Sequence, residues 1–249
     1  MQEKLHLILK LAAMLLSSGA EISRVEESIV RMCQAYGAKE THAYATTSQI
    51  LVTVETEDGL FTENRRPARV GMDMTMLDRI NNLIRQVSAT APDTKALADA
   101  IDALPRARFP WYLVTLAQGV VAASFCIFFG ARTVVEFFAA LIIGLLLGCV
   151  SHLFDCVKTN RLFNSFMLSF LLTTLAFGAT RFGIVVRPDF IIIGYIMNLI
   201  PGAGLTGALR DLFVGDVFTG MSRMLEAVLL ACAIAFGFVT TVVLFGGVA

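Results

Sequence analysis

The chain has 249 residues, 56% of them hydrophobic and 16% charged, against roughly 45–50% and 25% in an ordinary water-soluble domain. That balance argues against a single soluble globule. A formal net charge of zero offers no basic surface for nucleic acid, which is therefore not an expected partner.

Residues 1–110 hold 13 of the 20 Lys and Arg and 14 of the 20 Asp and Glu, so the charge deficit belongs to the C-terminal part of the chain. Lys4, the apolar run from Leu11 to Leu16 and the small residues Ser17 to Ala20 have the outline of a secretory signal. Glu3 in the basic region and Lys10 against a short apolar core argue against it. Leu5, Ile8, Leu9, Ala12, Leu15 and Leu16 instead recur at helical spacing and predict an amphipathic helix ending at Gly19.

A second helix is predicted over 21–36, with Ile22, Val25, Ile29, Met32, Cys33 and Tyr36 on one face and Gly37 as its stop. Glu21, Arg24, Glu27 and Arg31 alternate in sign on the other face. They read as a solvated ladder of ion pairs worth about 0.2–0.5 kcal/mol each. Over 42–72 the pattern turns to period two with β-branched residues, and Glu57-Asp58-Gly59 marks a turn, which predicts a hairpin. Helical spacing returns over 74–87 and 94–104, where Asp93 or Thr94 can cap. The expected arrangement is an N-terminal α+β soluble domain, residues 1–105, joined through 105–110 to a transmembrane domain, residues 106–249.

Five segments of the second domain match the roughly 20 apolar residues that a bilayer asks of a helix: 111–130, 133–154, 162–180, 190–209 and 225–246. The fold class is thus an α-helical polytopic membrane protein with five transmembrane helices. If the N-terminal domain is cytoplasmic, the inner connections carry Arg106, Arg108, Lys158, Arg161, Arg210 and Arg223, and the outer ones Arg132, Arg181 and Arg187. This bias places the N-terminus inside and the C-terminus outside. Trp111 and Tyr112 would anchor the first span at the interface, and Gly144 and Gly148 give the second a face for close helix packing.

Cys33, Cys126, Cys149, Cys156 and Cys232 show no Cys-x-x-Cys spacing, and His6, His42 and His152 no His-Glu-x-x-His arrangement. Neither a metal nor a cofactor is expected, nor a disulfide framework. An intramembrane hydrolase would need a nucleophile and a base that meet, and Ser222 with Asp216 is a forced pairing. The chain is not expected to be an enzyme.

The informative stretch runs from Asn198 to Glu226. Pro201 removes a backbone donor from the fourth span, and Gly202, Gly204 and Gly207 let the chain unwind beside it. Non-helical backbone at membrane depth needs protein or water to satisfy it, so a break there points to a cavity. A half-helix starting near Gly202 would aim its N–H groups at an anionic guest, a contribution of about 0.3–1 kcal/mol and up to about 2 when buried. Arg210, Asp211, Asp216, Arg223 and Glu226 come next, in an otherwise apolar stretch. Charges in a membrane segment normally pair or line a path. The plainer alternative makes them an ordinary loop between the fourth and fifth spans.

At these residues the sequence resembles the threonine/serine exporter family, and in particular the large subunit of its split, two-component, succinate-exporter-like members. Gly19-Ala20-Glu21-Ile22-Ser23-Arg24-Val25-Glu26-Glu27 is similar to the family's N-terminal signature. Leu199-Ile200-Pro201-Gly202, continuing through Arg210-Asp211, Gly215-Asp216, Gly220 and Arg223, is similar to its membrane signature. Where the family often has Pro-Gly-x-Pro followed by Asn, this chain has Ala203-Gly204 and Thr206-Gly207. The resemblance implies a multi-pass protein of the cytoplasmic membrane that works as an oligomer with a smaller membrane subunit.

Two functions fit these residues. The first is a secondary exporter of a small carboxylate-bearing metabolite, threonine/serine or succinate-like. Its substrate would meet Asn198, Pro201, Gly202, Gly204, Thr206, Arg210 and Arg223, and a coupling proton would ride on Asp211, Asp216 or Glu226. Arginine suits the carboxylate because its fork binds bidentately. The second is a membrane-anchored receptor or scaffold whose N-terminal domain binds a ligand or protein.

Overall fold

A computed structural model describes residues 1–68, 71–105 and 109–245. The chain forms two compact units, Met1–Ala107 with Asp211–Thr219, and Arg108–Arg210 with Gly220–Ala249.

In the first unit the elements run α1 (Gln2–Ser17), α2 (Ile22–Ala35), β1 (Glu40–Ala45), β2 (Ile50–Thr56), β3 (Gly59–Arg65), α3 (Met74–Thr90) and α4 (Thr94–Asp102). The predicted stripe of α1 is wholly buried, from Leu5 to Leu16, and each large apolar side chain so placed contributes about 1.5–3 kcal/mol. The helix closes as a Schellman motif, with Ala20 N–H donating to Leu15 O at 3.3 Å and Gly19 N–H to Leu16 O at 3.0 Å. Gly19 sits at φ +97°, and a Cβ there would lie 2.8 Å from Gly71 O. On α2, Ile22, Val25, Ile29, Met32 and Cys33 are buried as expected, and the outer ladder contains the Arg31–Glu27 pair at 2.6 Å.

The hairpin expected over 42–72 needs correction: the region folds as a three-stranded antiparallel meander, β1-β2-β3. The additional reversal lies between Ala45 and Ile50, where Thr46 N–H donates to Gln49 O at 2.7 Å and Gln49 N–H to Thr46 Oγ1 at 3.1 Å. Ile50, Val52 and Val54 of β2 alternate into one core with the four helices, as period two requires. Asp73 and Asp93 cap α3 and α4, accepting from Met76 N–H and Ala96 N–H.

The membrane elements are α5 (Trp111–Phe128), α6 (Val134–Val157), α7 (Arg161–Arg181), α8 (Pro188–Leu199), α9 (Gly202–Val214) and α10 (Val217–Leu244). Four of the described helices are long and apolar enough to cross a bilayer, and α8 with α9 makes a fifth if the bent pair is one span. The protein is therefore a multi-pass membrane protein. α10 begins at Val217 rather than near 225. Its 28 residues, at about 1.5 Å each, exceed the roughly 30 Å hydrocarbon core, which leaves its charged first turns toward one interface. The predicted end of that span, Gly246, and two of the arginines counted for orientation, Arg106 and Arg108, lie outside the described residues.

Small residues set the packing of α5, α6 and α8. A Cβ on Gly144 would come 2.8 Å from Gly119 Cα, and one on Gly194 would come 2.7 Å from Ala122 O. Helix backbones approach this closely only where small residues meet. α10 lies against α7, where Ser169 Oγ donates to Ile234 O at 2.7 Å and Thr241 Oγ1 donates to Phe170 O at 3.1 Å. Glu136 is buried, but its carboxylate belongs to a capping box with Thr133.

Candidate functional site

The break between α8 and α9 arises from Pro201. A proline disfavours helical backbone in the residue before it, and Ile200 is extended at φ −65°, ψ 125°. The helices on either side are bent by 50°. Gly202 N–H turns back onto Ile200 O at 2.8 Å, and the ladder resumes with Leu205 N–H on Pro201 O at 2.9 Å. Between them, the N–H groups of Ala203 and Gly204 meet no backbone carbonyl among the described residues. Both residues are exposed, as is Gly202. The start of α9 therefore presents outward amides at the positive end of a 13-residue helix.

The predicted substrate residues fall around this point. Asn198, in the last turn of α8, donates from Nδ2 to Gln118 O of α5 at 3.2 Å and so fixes the end of that helix. Thr206 Oγ1 shares its donor between Gly202 O and Ala203 O, each at 3.1 Å, which ties down the first turn of α9. Arg223 of α10 reaches α9 at Gly207, with Nη1 3.9 Å from where a Cβ would stand. Arg210 is exposed near the other end of α9.

The alternative of a loop for the charged residues does not hold. Arg210 and Asp211 are in α9, Arg223 and Glu226 are in α10, and only Gly215 and Asp216 separate the two helices. Asp211 is buried and accepts Asp216 N–H on its backbone oxygen at 3.0 Å. Asp216 Oδ1 accepts Thr219 N–H at 3.3 Å, so its carboxylate caps the start of α10.

Glu226, one turn after Arg223 in α10, is paired with Arg161 of α7 at 3.6 Å. The two line a cavity of about 300 Å³ with Asn160, Ser222 and leucines of α7 and α10. Pro201 is not part of that lining. In the sequence Arg161 counts only as an orienting cation, since its partner is far along the chain. Glu26, which the sequence offers only as part of the N-terminal signature, also reaches beyond its own helix. Its carboxylate accepts Ala45 N–H at 2.8 Å, and burial, with Asp216 adding repulsion, raises its pKa above the usual carboxylate value. Among the described residues no group of three or more His, Cys, Asp or Glu is placed to hold a metal ion.

A bundle of long apolar helices interrupted by a proline break, following a small α+β unit, defines a class of multi-pass membrane protein with a discontinuous helix. The threonine/serine exporter profile matches residues 6–245, and the chain belongs to that family. It is 24% identical to the "Probable succinate transporter subunit YjjP" of Klebsiella aerogenes, over 97% of this chain and 93% of the relative. It is 26% identical to the protein of the same name from Escherichia coli K12, over 97% and 94%. It is 24% identical to the "Threonine/serine exporter" of Corynebacterium glutamicum, over 94% of this chain but 49% of that longer protein. No solved structure matches the chain.

Proposed function

We propose that this chain is the large subunit of a split secondary exporter that moves a small carboxylate-bearing metabolite, threonine/serine or succinate-like, out across the cytoplasmic membrane. The observation that carries the reading is the interrupted α8–α9 segment, whose outward amides at Ala203 and Gly204 suit a carboxylate. Arg223, next to α9, and Arg210 supply cationic forks for the same group. A coupling proton would be taken up at Asp211, Asp216 or Glu226. The N-terminal unit, residues 1–105 in this reading, is cytoplasmic and the C-terminus faces outward.

A smaller membrane subunit completes the transporter in an oligomeric assembly. Support comes from the relatives: two carry the word subunit and are covered over 93% and 94% of their length, while the "Threonine/serine exporter" is about twice as long as this chain.

The test is efflux of preloaded succinate or threonine from vesicles holding this chain with its small partner. Loss of a charge-assisted contact worth about 1.5–3 kcal/mol predicts roughly a tenfold to hundredfold fall for Arg210→Ala or Arg223→Ala. Unchanged rates in properly inserted variants reject the arginine assignment, and absence of flux in the wild type rejects the transporter.

A further inference from the structure

The cavity between the start of α7 and the first turns of α10 is lined by no residue of the proline break and has its own chemistry. Its volume, about 300 Å³, is at the lower end of the range for small-molecule sites, roughly 300–1,000 Å³. The lining is divided between leucines and four polar residues, Asn160, Arg161, Ser222 and Glu226. Arg161 and Glu226 face each other at 3.6 Å with side chains 64% and 62% exposed. An ion pair so long and so exposed contributes little to stability and is readily exchanged for a better partner.

From the contacts that Arg161 already makes, the geometry points to a carboxylate-binding site in this cavity, where the solute carboxylate displaces Glu226 from the Arg161 guanidinium. The inference rests on the exporter reading above and adds a second place where the solute is held. The side-chain carboxylate of Glu226 stands where the solute's would bind, so the site's preferred ligand chemistry is on display in the protein itself. Arg161 can engage a small free carboxylate bidentately, which the 3.6 Å separation from Glu226 does not achieve. Asn160 has its Oδ1 committed to Leu162 N–H at 3.0 Å, which leaves its amide N–H₂ as a donor type suited to a second anionic oxygen. Leu162, Leu225, Leu229 and Leu230 offer apolar surface to the solute's short carbon chain.

The two partners of one ion pair should then act in opposite directions. With succinate as probe, KM for transport is measured in vesicles carrying the full chain and its partner. Arg161→Gln should raise KM roughly tenfold, the loss of one charge-assisted contact, whereas Glu226→Gln removes the competitor and should lower it severalfold. Should Glu226 also carry the coupling proton, its variant loses kcat while KM still falls. A merely structural ion pair moves both variants the same way, and that result overturns the inference.

So does a succinate KM indifferent to Arg161→Gln, including the case in which that variant alters only dependence on phosphatidylglycerol content, which would make the cavity a lipid headgroup site. A wild type that transports neither succinate nor threonine removes the exporter reading and this inference with it. An active wild type unaffected at Arg161 removes this inference alone.

Discussion

The position of α8, and hence of the break that ends it, depends on contacts that only glycine allows, and this can be tested by adding a single methyl group. In Gly144→Ala the new Cβ would stand 2.8 Å from Gly119 Cα and 3.2 Å from Ala122 Cβ. Carbon atoms rest at about 3.5–4.0 Å, so α5 and α6 must part by about 0.7 Å, and a gap of that size forfeits a quarter to a half of each dispersion contact along the seam. In Gly194→Ala the methyl would meet Ala122 O at 2.7 Å and Cys126 N at 2.9 Å, backbone atoms that cannot rotate away. Overpacking of this kind costs about 1–3 kcal/mol. Gly178, in α7, is the control: a Cβ there meets nothing within 4 Å, and exchanging an interior helical glycine for alanine gains up to about 1 kcal/mol. Thermal unfolding of the purified full-length protein in detergent should therefore give a lower Tm for Gly144→Ala and Gly194→Ala, and an equal or higher one for Gly178→Ala. Heat resistance equal to the wild type in the first two variants, or an equal shift in all three, would refute close packing at these glycines.

Three further outcomes concern the N-terminal unit. Glu26 has its pKa raised by burial and by Asp216, so the folded protein binds that proton more tightly than the unfolded chain. Its contribution to stability grows as pH falls through the folded pKa toward the ordinary value of 4.5. Glu26→Gln, which keeps an acceptor for Ala45 N–H, should flatten this part of the Tm-against-pH curve. Asp73→Ala removes the acceptor of Met76 N–H at 2.9 Å and should cost about 1 kcal/mol, read as a lower Tm with unchanged helix content by circular dichroism. Gly19→Ala places a side chain at φ +97° and 2.8 Å from Gly71 O, and should destabilise by more than about 1 kcal/mol in denaturant unfolding.

The features legible in the sequence are those that local chemistry determines. The stripe of α1 and α2 can be read because each buried side chain recurs at helical spacing, and the break because a proline acts on its own neighbour at Ile200. β1 merges with its neighbours in the sequence because the reversal at Thr46–Gln49 is made by a threonine side chain and lacks a Gly or Pro signal. Hydropathy places the start of α10 late because Arg223 interrupts its apolar run, although charges near a membrane interface are compatible with helix. The pairing of Arg161 with Glu226 is invisible there, since only the packing of α7 on α10 brings the two together.

The claim on which the function depends is that the first turn of α9 meets water and an anionic solute. Cysteines introduced one at a time by Ala203→Cys and Thr206→Cys, in a full chain whose five native cysteines are replaced, can be labelled in membranes with a charged thiol reagent. Both positions are expected to label, and more slowly in the presence of succinate or threonine. Sites that never label, or that label at a rate no carboxylate solute changes, would contradict it.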